Sequence, residues 1–80
     1  MPNKEIWMQR AFDLALMGTG RVAPNPLVGC VIVKNDCILG EGYHQQYGQA
    51  HAEINCLVSV PPEKKELIPL STLYVSLEPC

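Results

Sequence analysis

Apolar positions in residues 4–18 recur at helical spacing. Trp7, Ala11, Leu14 and Ala15 share a face, with Met8 and Phe12 beside them, while Lys4, Gln9, Arg10 and Asp13 punctuate the rest. The pattern predicts an amphipathic helix, capped by Asn3 and stopped at Gly18, with Trp7 and Phe12 among its core residues. A loop rich in Gly, Pro and Asn follows, ending in Pro24-Asn25-Pro26, whose prolines hold Asn25 between two fixed φ angles. Leu27 to Val33 is an almost unbroken apolar run, the pattern of a strand buried on both faces. Asn35-Asp36 predicts a tight turn, and Cys37 to Tyr43 a returning strand. His51 to about Val60 reads as a second helix ended by Pro61-Pro62. Pro61 to Leu70, with Glu63, Lys64, Lys65 and Glu66, reads as a solvated connection. Leu73 to Leu77, centred on Tyr74 and Val75, reads as a third strand.

The order helix, strand, strand, helix, strand describes a layered α/β unit without repeats, low-complexity tracts or linkers. The third strand would stand at or near an unpaired edge, which proteins usually cover. With 80 residues the chain buries only about 60% of its unfolded surface, and no staple in the composition compensates. Residues 1–80 are therefore expected to be the N-terminal portion of one longer domain. Six Lys and Arg against eight Asp and Glu leave no basic field for a nucleic-acid partner. No apolar stretch approaches the length of a membrane span, and the first residues lack a secretory pattern, so a cytoplasmic location is expected. In that setting the four cysteines read as reduced thiols rather than a disulfide scaffold, with Cys30, Cys37 and Cys56 in packing or strand-end roles.

Two short motifs carry the candidate chemistry. His51-Ala52-Glu53 opens the second helix, and Glu78-Pro79-Cys80 follows the third strand. Residues two apart on a regular helix project roughly 200° from one another, so His51 and Glu53 cannot both bind one metal from mid-helix. At the first turn, where the chain swings in from a loop, His51 can bind a metal while Glu53 leans over it without ligating. A helix N-terminus also favours the thiolate form of a nearby cysteine such as Cys80. One imidazole plus thiolates is a zinc ligand set, and an open fourth position marks a catalytic zinc. Such a zinc brings bound water to a pKa of about 7, and a carboxylate beside it can relay the proton to a ring nitrogen and then to departing ammonia. Zinc nucleobase deaminases carry this signature, H-x-E followed by P-C-x-x-C, of which His51, Glu53, Pro79 and Cys80 supply all but the second cysteine. His44, in the loop seven residues before His51, is equally readable as a surface or a pocket residue. Gly40-Glu41-Gly42 lies within a strand and opens no helix, so it is not a dinucleotide fingerprint.

Four segments together resemble a known family. Pro24-Asn25-Pro26-Leu27-Val28-Gly29-Cys30-Val31-Ile32-Val33, Gly40-Glu41-Gly42-Tyr43-His44, His51-Ala52-Glu53 and Leu73-Tyr74-Val75-Ser76-Leu77-Glu78-Pro79-Cys80 are similar to the riboflavin-biosynthesis pyrimidine deaminases. These form the N-terminal domain of a bifunctional deaminase–reductase in the cytidine-deaminase-like superfamily. The His-Ala-Glu and Pro-Cys elements are superfamily-wide, whereas the other two point to the riboflavin branch. The resemblance implies a three-layer α/β/α sandwich, present here as its N-terminal part. It implies hydrolytic removal of the 2-amino group of a diaminopyrimidinone ribosylamine 5′-phosphate, with zinc-activated hydroxide attacking the amino-bearing carbon. By position, His51 and Cys80 would bind Zn2+, Glu53 would shuttle protons, and Asn25, His44 and the Ala52 backbone N–H would contact the substrate. The complete protein would be a homo-oligomer acting on a small-molecule pyrimidine nucleotide, with NADPH serving only its reductase domain. A related deaminase of tRNA adenosine, guanine or a cytidine nucleotide, or a non-catalytic zinc-binding module, remains open at this point.

Overall fold

The apolar run beginning at Leu27 becomes the middle strand of the molecule because only a central position covers both of its faces. In the computed structural model, which describes residues 4–22, 26–45 and 51–78, the elements are α1 (Lys4–Leu16), β1 (Leu27–Lys34), β2 (Cys37–Tyr43), α2 (Ala52–Ser59), a 3-10 helix (Pro62–Leu70) and β3 (Thr72–Glu78). The sheet order is β2-β1-β3 and both pairings are antiparallel. Helix α1 lies over β1 and β3, and α2 over β2 and β1 from the opposite side. The result is helix, sheet, helix: three layers, as the family resemblance implied.

The hairpin between β1 and β2 turns on Asn35 and Asp36, whose φ values of 51° and 61° are both left-handed. Two such residues make the turn whose twist matches its strands, and Asn and Asp tolerate that region better than other side chains. A bulge between Ile32 and Val33 sets Leu39 beside Gly40 on β2, and Leu39 joins the core under α2. That core contains Cys30, Ile32, Ala52, Cys56 and Val60, whereas Val31 and Val33 on the other face meet Ala11 and Leu14. Alternation along β1 thus feeds two cores from one strand.

Helix α1 is shorter than its pattern predicts. It ends at Leu16, and turn hydrogen bonds from Met17, Gly18 and Thr19 to carbonyls three residues back tighten the exit before Gly18. Asn3, its expected cap, lies outside the described residues. Trp7 packs against the Ala11–Leu14 cluster but is only half-buried, as is Phe12, and Met8 is exposed. The small residues explain why. A Cβ added to Gly29 on β1 would stand 1.8 Å from the Ala11 carbonyl oxygen, so the helix backbone touches the strand at Ala11 and Ala15 and its larger side chains are left at the flanks.

Residues 62–70, expected as a solvated connection, form a 3-10 helix. Glu63 to Glu66 are exposed as the charges require, but Leu67 and Ile68 are half-buried against the α2-side core. Lys65 donates to the Leu57 carbonyl at 2.9 Å, tying this segment back to α2. No helix among the described residues is long and apolar enough to cross a membrane.

Candidate active site

Antiparallel pairing places the start of β1, the end of β2 and the end of β3 at one end of the sheet. Helix α2 begins at that same end, and there a cleft of about 370 Å³ opens. Its polar lining is His44, His51 and Glu53, and its apolar wall is Pro26, Val28, Val75 and Leu77. The wall follows from register, since Val28 pairs with Leu77, and Val75 lies two residues along β3 on the same face.

His51 is the N-cap of α2, with extended backbone at φ −71° and ψ 165° and no capping hydrogen bond from its imidazole. The ring is therefore free of the role that usually occupies a cap side chain. Because His51 sits outside the helical geometry, it and Glu53 reach the same cleft despite being two residues apart. Glu53 stands in the first turn, exposed. Ala52 between them is fully buried, and its N–H belongs to the first turn, whose donors have no intrahelical acceptor. The helix can approach so closely because Gly42 has no side chain, since a Cβ there would lie 2.4 Å from the Cys56 amide nitrogen.

His44 differs from His51 in every respect except proximity. It is 2% exposed, and its Nε2 is buried without a hydrogen-bond partner among the described residues. Its backbone N–H donates to the Val28 carbonyl at 3.0 Å, and its ring centroid lies 5.2 Å from that of His51. A buried polar nitrogen left unpaired costs about 1–3 kcal/mol, so a group entering the cleft is the natural partner.

The remaining cysteines divide as their patterns suggest. Cys30 and Cys56 are free and fully buried, with the Cys56 thiol donating to the Cys30 carbonyl at 3.5 Å. Contact with the Cys56 thiol, followed by burial, pushes the Cys30 thiol up, which keeps it neutral and unsuited to hold a metal. Cys37 is exposed beside the hairpin turn, at the opposite end of the sheet from the cleft.

Asn25 and Cys80 lie outside the described residues. Among the described residues no three His, Cys, Asp or Glu side chains gather as a metal cluster. The donor chemistry nevertheless fits zinc: His51 brings to the cleft an imidazole that makes no capping hydrogen bond, and β3 runs to Glu78 at the same end, two residues before Cys80 in sequence. The sequence reading missed the apolar wall, although Leu73, Val75 and Leu77 alternate in a way that marks one face of β3. A larger groove of about 440 Å³ lies along β2 between Arg10 and Ser59, but Arg10 and Glu41 there are paired with each other. Among the described residues the buried unpaired side-chain atom, His44 Nε2, is in the smaller cleft.

Residues 1–80 match the cytidine and deoxycytidylate deaminase zinc-binding region. The chain is 49% identical over 78 residues to the diaminohydroxyphosphoribosylamino-pyrimidine deaminase of Buchnera aphidicola, covering 98% of this chain and 50% of that protein. It is 49% identical over 76 residues to riboflavin biosynthesis protein RibD of Escherichia coli, covering 95% of this chain and 20% of that protein. Among solved structures it is similar to the diaminohydroxyphosphoribosylaminopyrimidine deaminase/5-amino-6-(5-phosphoribosylamino)uracil reductase of Thermotoga maritima, with TM-score 0.83 and 44% identity over 91% of this chain and 21% of that one. The chain thus spans about half the length of the Buchnera deaminase and about a fifth of the longer relatives. It belongs to the cytidine and deoxycytidylate deaminase family, in the branch of the riboflavin-biosynthesis pyrimidine deaminases.

Proposed function

We propose that the protein removes the 2-amino group of a diaminopyrimidinone ribosylamine 5′-phosphate by hydrolysis, and that residues 1–80 are the N-terminal portion of its deaminase domain. The observation that carries this reading is the convergence of His51, Glu53 and the unpaired Nε2 of His44 on one cleft at the start of α2. His51 and Cys80 would hold Zn2+, which when bound lowers the pKa of water to about 7. Glu53 takes one proton from the attacking water and gives it to the ring nitrogen, then takes the second from the new hydroxyl and gives it to the departing amino nitrogen, so that water and the amine become a carbonyl and ammonia. His44 donates or accepts at the substrate through Nε2. Asn25 and the Ala52 N–H bind the polar edge of the pyrimidine, and Val28, Val75 and Leu77 exclude water from one side. The substrate is a small molecule, and the acidic balance of residues 1–80, six Lys and Arg against eight Asp and Glu, supports no nucleic-acid partner. A reductase domain, and NADPH with it, belongs to the complete protein on this reading.

Ammonia release by the complete protein tests the assignment. The riboflavin-pathway pyrimidine is expected to turn over, with cytidine nucleotides, guanine and tRNA left unchanged. Turnover of one of those three without the pathway pyrimidine would assign a different deaminase. Zinc bound by four protein ligands, with no ammonia from any substrate, would make the domain a structural module.

A further inference from the structure

The backbone on either side of the His44 Cα is held at three points. Asn55 of α2 donates its Nδ2 to the Tyr43 carbonyl at 2.8 Å. The His44 N–H donates to the Val28 carbonyl of β1 at 3.0 Å. At the third point, the exit of α1 presses so close that a Cβ on Gly18 would stand 2.5 Å from the His44 carbonyl oxygen. These clamps act just where β2 ends at Tyr43 and its ladder stops fixing the backbone. The ring they carry is 2% exposed, with its Nε2 unpartnered and its centroid 5.2 Å from His51.

Asn55 is the only one of the three clamps that is a side chain on the helix bearing His51 and Glu53. It stands one turn beyond His51, whose carbonyl accepts the Asn55 N–H at 3.1 Å. It borders the neighbouring groove along β2 and does not line the cleft, so it acts on the cleft through what it holds and not by touching a ligand there. We propose that Asn55 is a positioning residue of the deaminase site, whose amide fixes the Tyr43–His44 peptide and so aims the His44 imidazole at the ligand. The proposal rests on the reading of the cleft as the substrate site. It also explains the residue type. A neutral amide donates to a carbonyl, whereas the isosteric Asp has no donor and sets a negative charge against the same oxygen.

The test uses the complete, zinc-loaded protein with Asn55→Asp and, acting on the His44 carbonyl, Gly18→Ala. Both variants are expected to shift or broaden the His44 ring signals in a histidine 15N spectrum while zinc content stays at the wild-type level. Asn55→Asp should raise KM for the pathway pyrimidine about tenfold, the effect of one hydrogen bond, with kcat within about threefold. In a His44→Ala background the same substitution should change KM no further, because it acts through His44. His44 ring signals identical to wild type in both variants would overturn the proposal, as would an undiminished KM effect of Asn55→Asp in the His44→Ala background. If the complete protein turns over no pyrimidine, the functional assignment fails, and the ring spectrum alone decides the positioning role.

Discussion

His44 and His51 stand on either side of the connection between β2 and α2, and their rings meet with centroids 5.2 Å apart at an interplanar angle of 50°. The pair is asymmetric. His51 is exposed at a helix cap, while His44 is buried with Nε2 unsatisfied among the described residues, and the proposed function gives the first ring to the metal and the second to an organic ligand. Replacing His44 should therefore weaken substrate binding more than zinc binding. For His44→Ala, KM is expected to rise about tenfold, the scale of one lost hydrogen bond, with zinc content unchanged. Steady-state kinetics alongside metal analysis separates the two effects.

The zinc assignment has its own test at the other ring. In the complete protein, His51→Ala and Cys80→Ser should each lower zinc affinity by orders of magnitude, since each removes one ligand from a small set. Competition with a chromogenic chelator reads the change directly. Wild-type affinity in either variant would remove that residue from the ligand set.

Gly42 controls how closely the site helix approaches the sheet. A methyl group there would lie 2.4 Å from the Cys56 amide nitrogen and 2.7 Å from the Ala52 carbonyl oxygen. Both neighbours are backbone and cannot swing aside, so Gly42→Ala is expected to cost about 3 kcal/mol, the upper end for overpacking. Urea unfolding of the complete domain would report this as a lowered midpoint at unchanged slope.

Arg10 on α1 grips Glu41 on β2 through two hydrogen bonds, the Nη2–Oε1 contact being 2.9 Å. The guanidinium holds the Glu41 carboxyl below its ordinary value of 4.5. A carboxyl depressed by folding stabilises the native state fully above its unfolded pKa and loses that contribution as pH falls through the folded value. Both side chains are partly exposed, so the pair is worth no more than about 1 kcal/mol. Wild type and Arg10→Ala should thus differ by that amount at pH 7 and converge below pH 4.5. A difference that persists at lower pH would mean the Arg10 stem, rather than its charge, supplies the stability.

Much of this arrangement was legible in the chain itself. The unbroken Leu27–Val33 run announced a strand buried on both sides, and Asn35-Asp36 announced the turn that folds β2 back on it. His51 and Glu53 were readable because a helix start lets neighbours two apart share a cleft. What the pattern concealed was close backbone contact. Gly29 pulls α1 in by its Ala residues, so Trp7 and Phe12, strong core candidates by periodicity, end at the flanks. Likewise the charges at Glu63 to Glu66 masked the apolar pair Leu67 and Ile68, which turn inward on a 3-10 helix. The burial of His44 and its tether through Asn55 depend on three elements that meet only in the folded chain, and no local pattern carries them.

In the proposed mechanism Glu53, at the first turn of α2, moves the protons of a hydrolytic deamination. Glu53→Gln keeps the size and polarity of the side chain and removes its basicity. In the complete, zinc-loaded protein this variant is expected to hold zinc as wild type does and to lose ammonia release from the pathway pyrimidine by at least about a thousandfold, within the range of general acid–base catalysis. Turnover within about tenfold of wild type, at full zinc occupancy, would contradict the account.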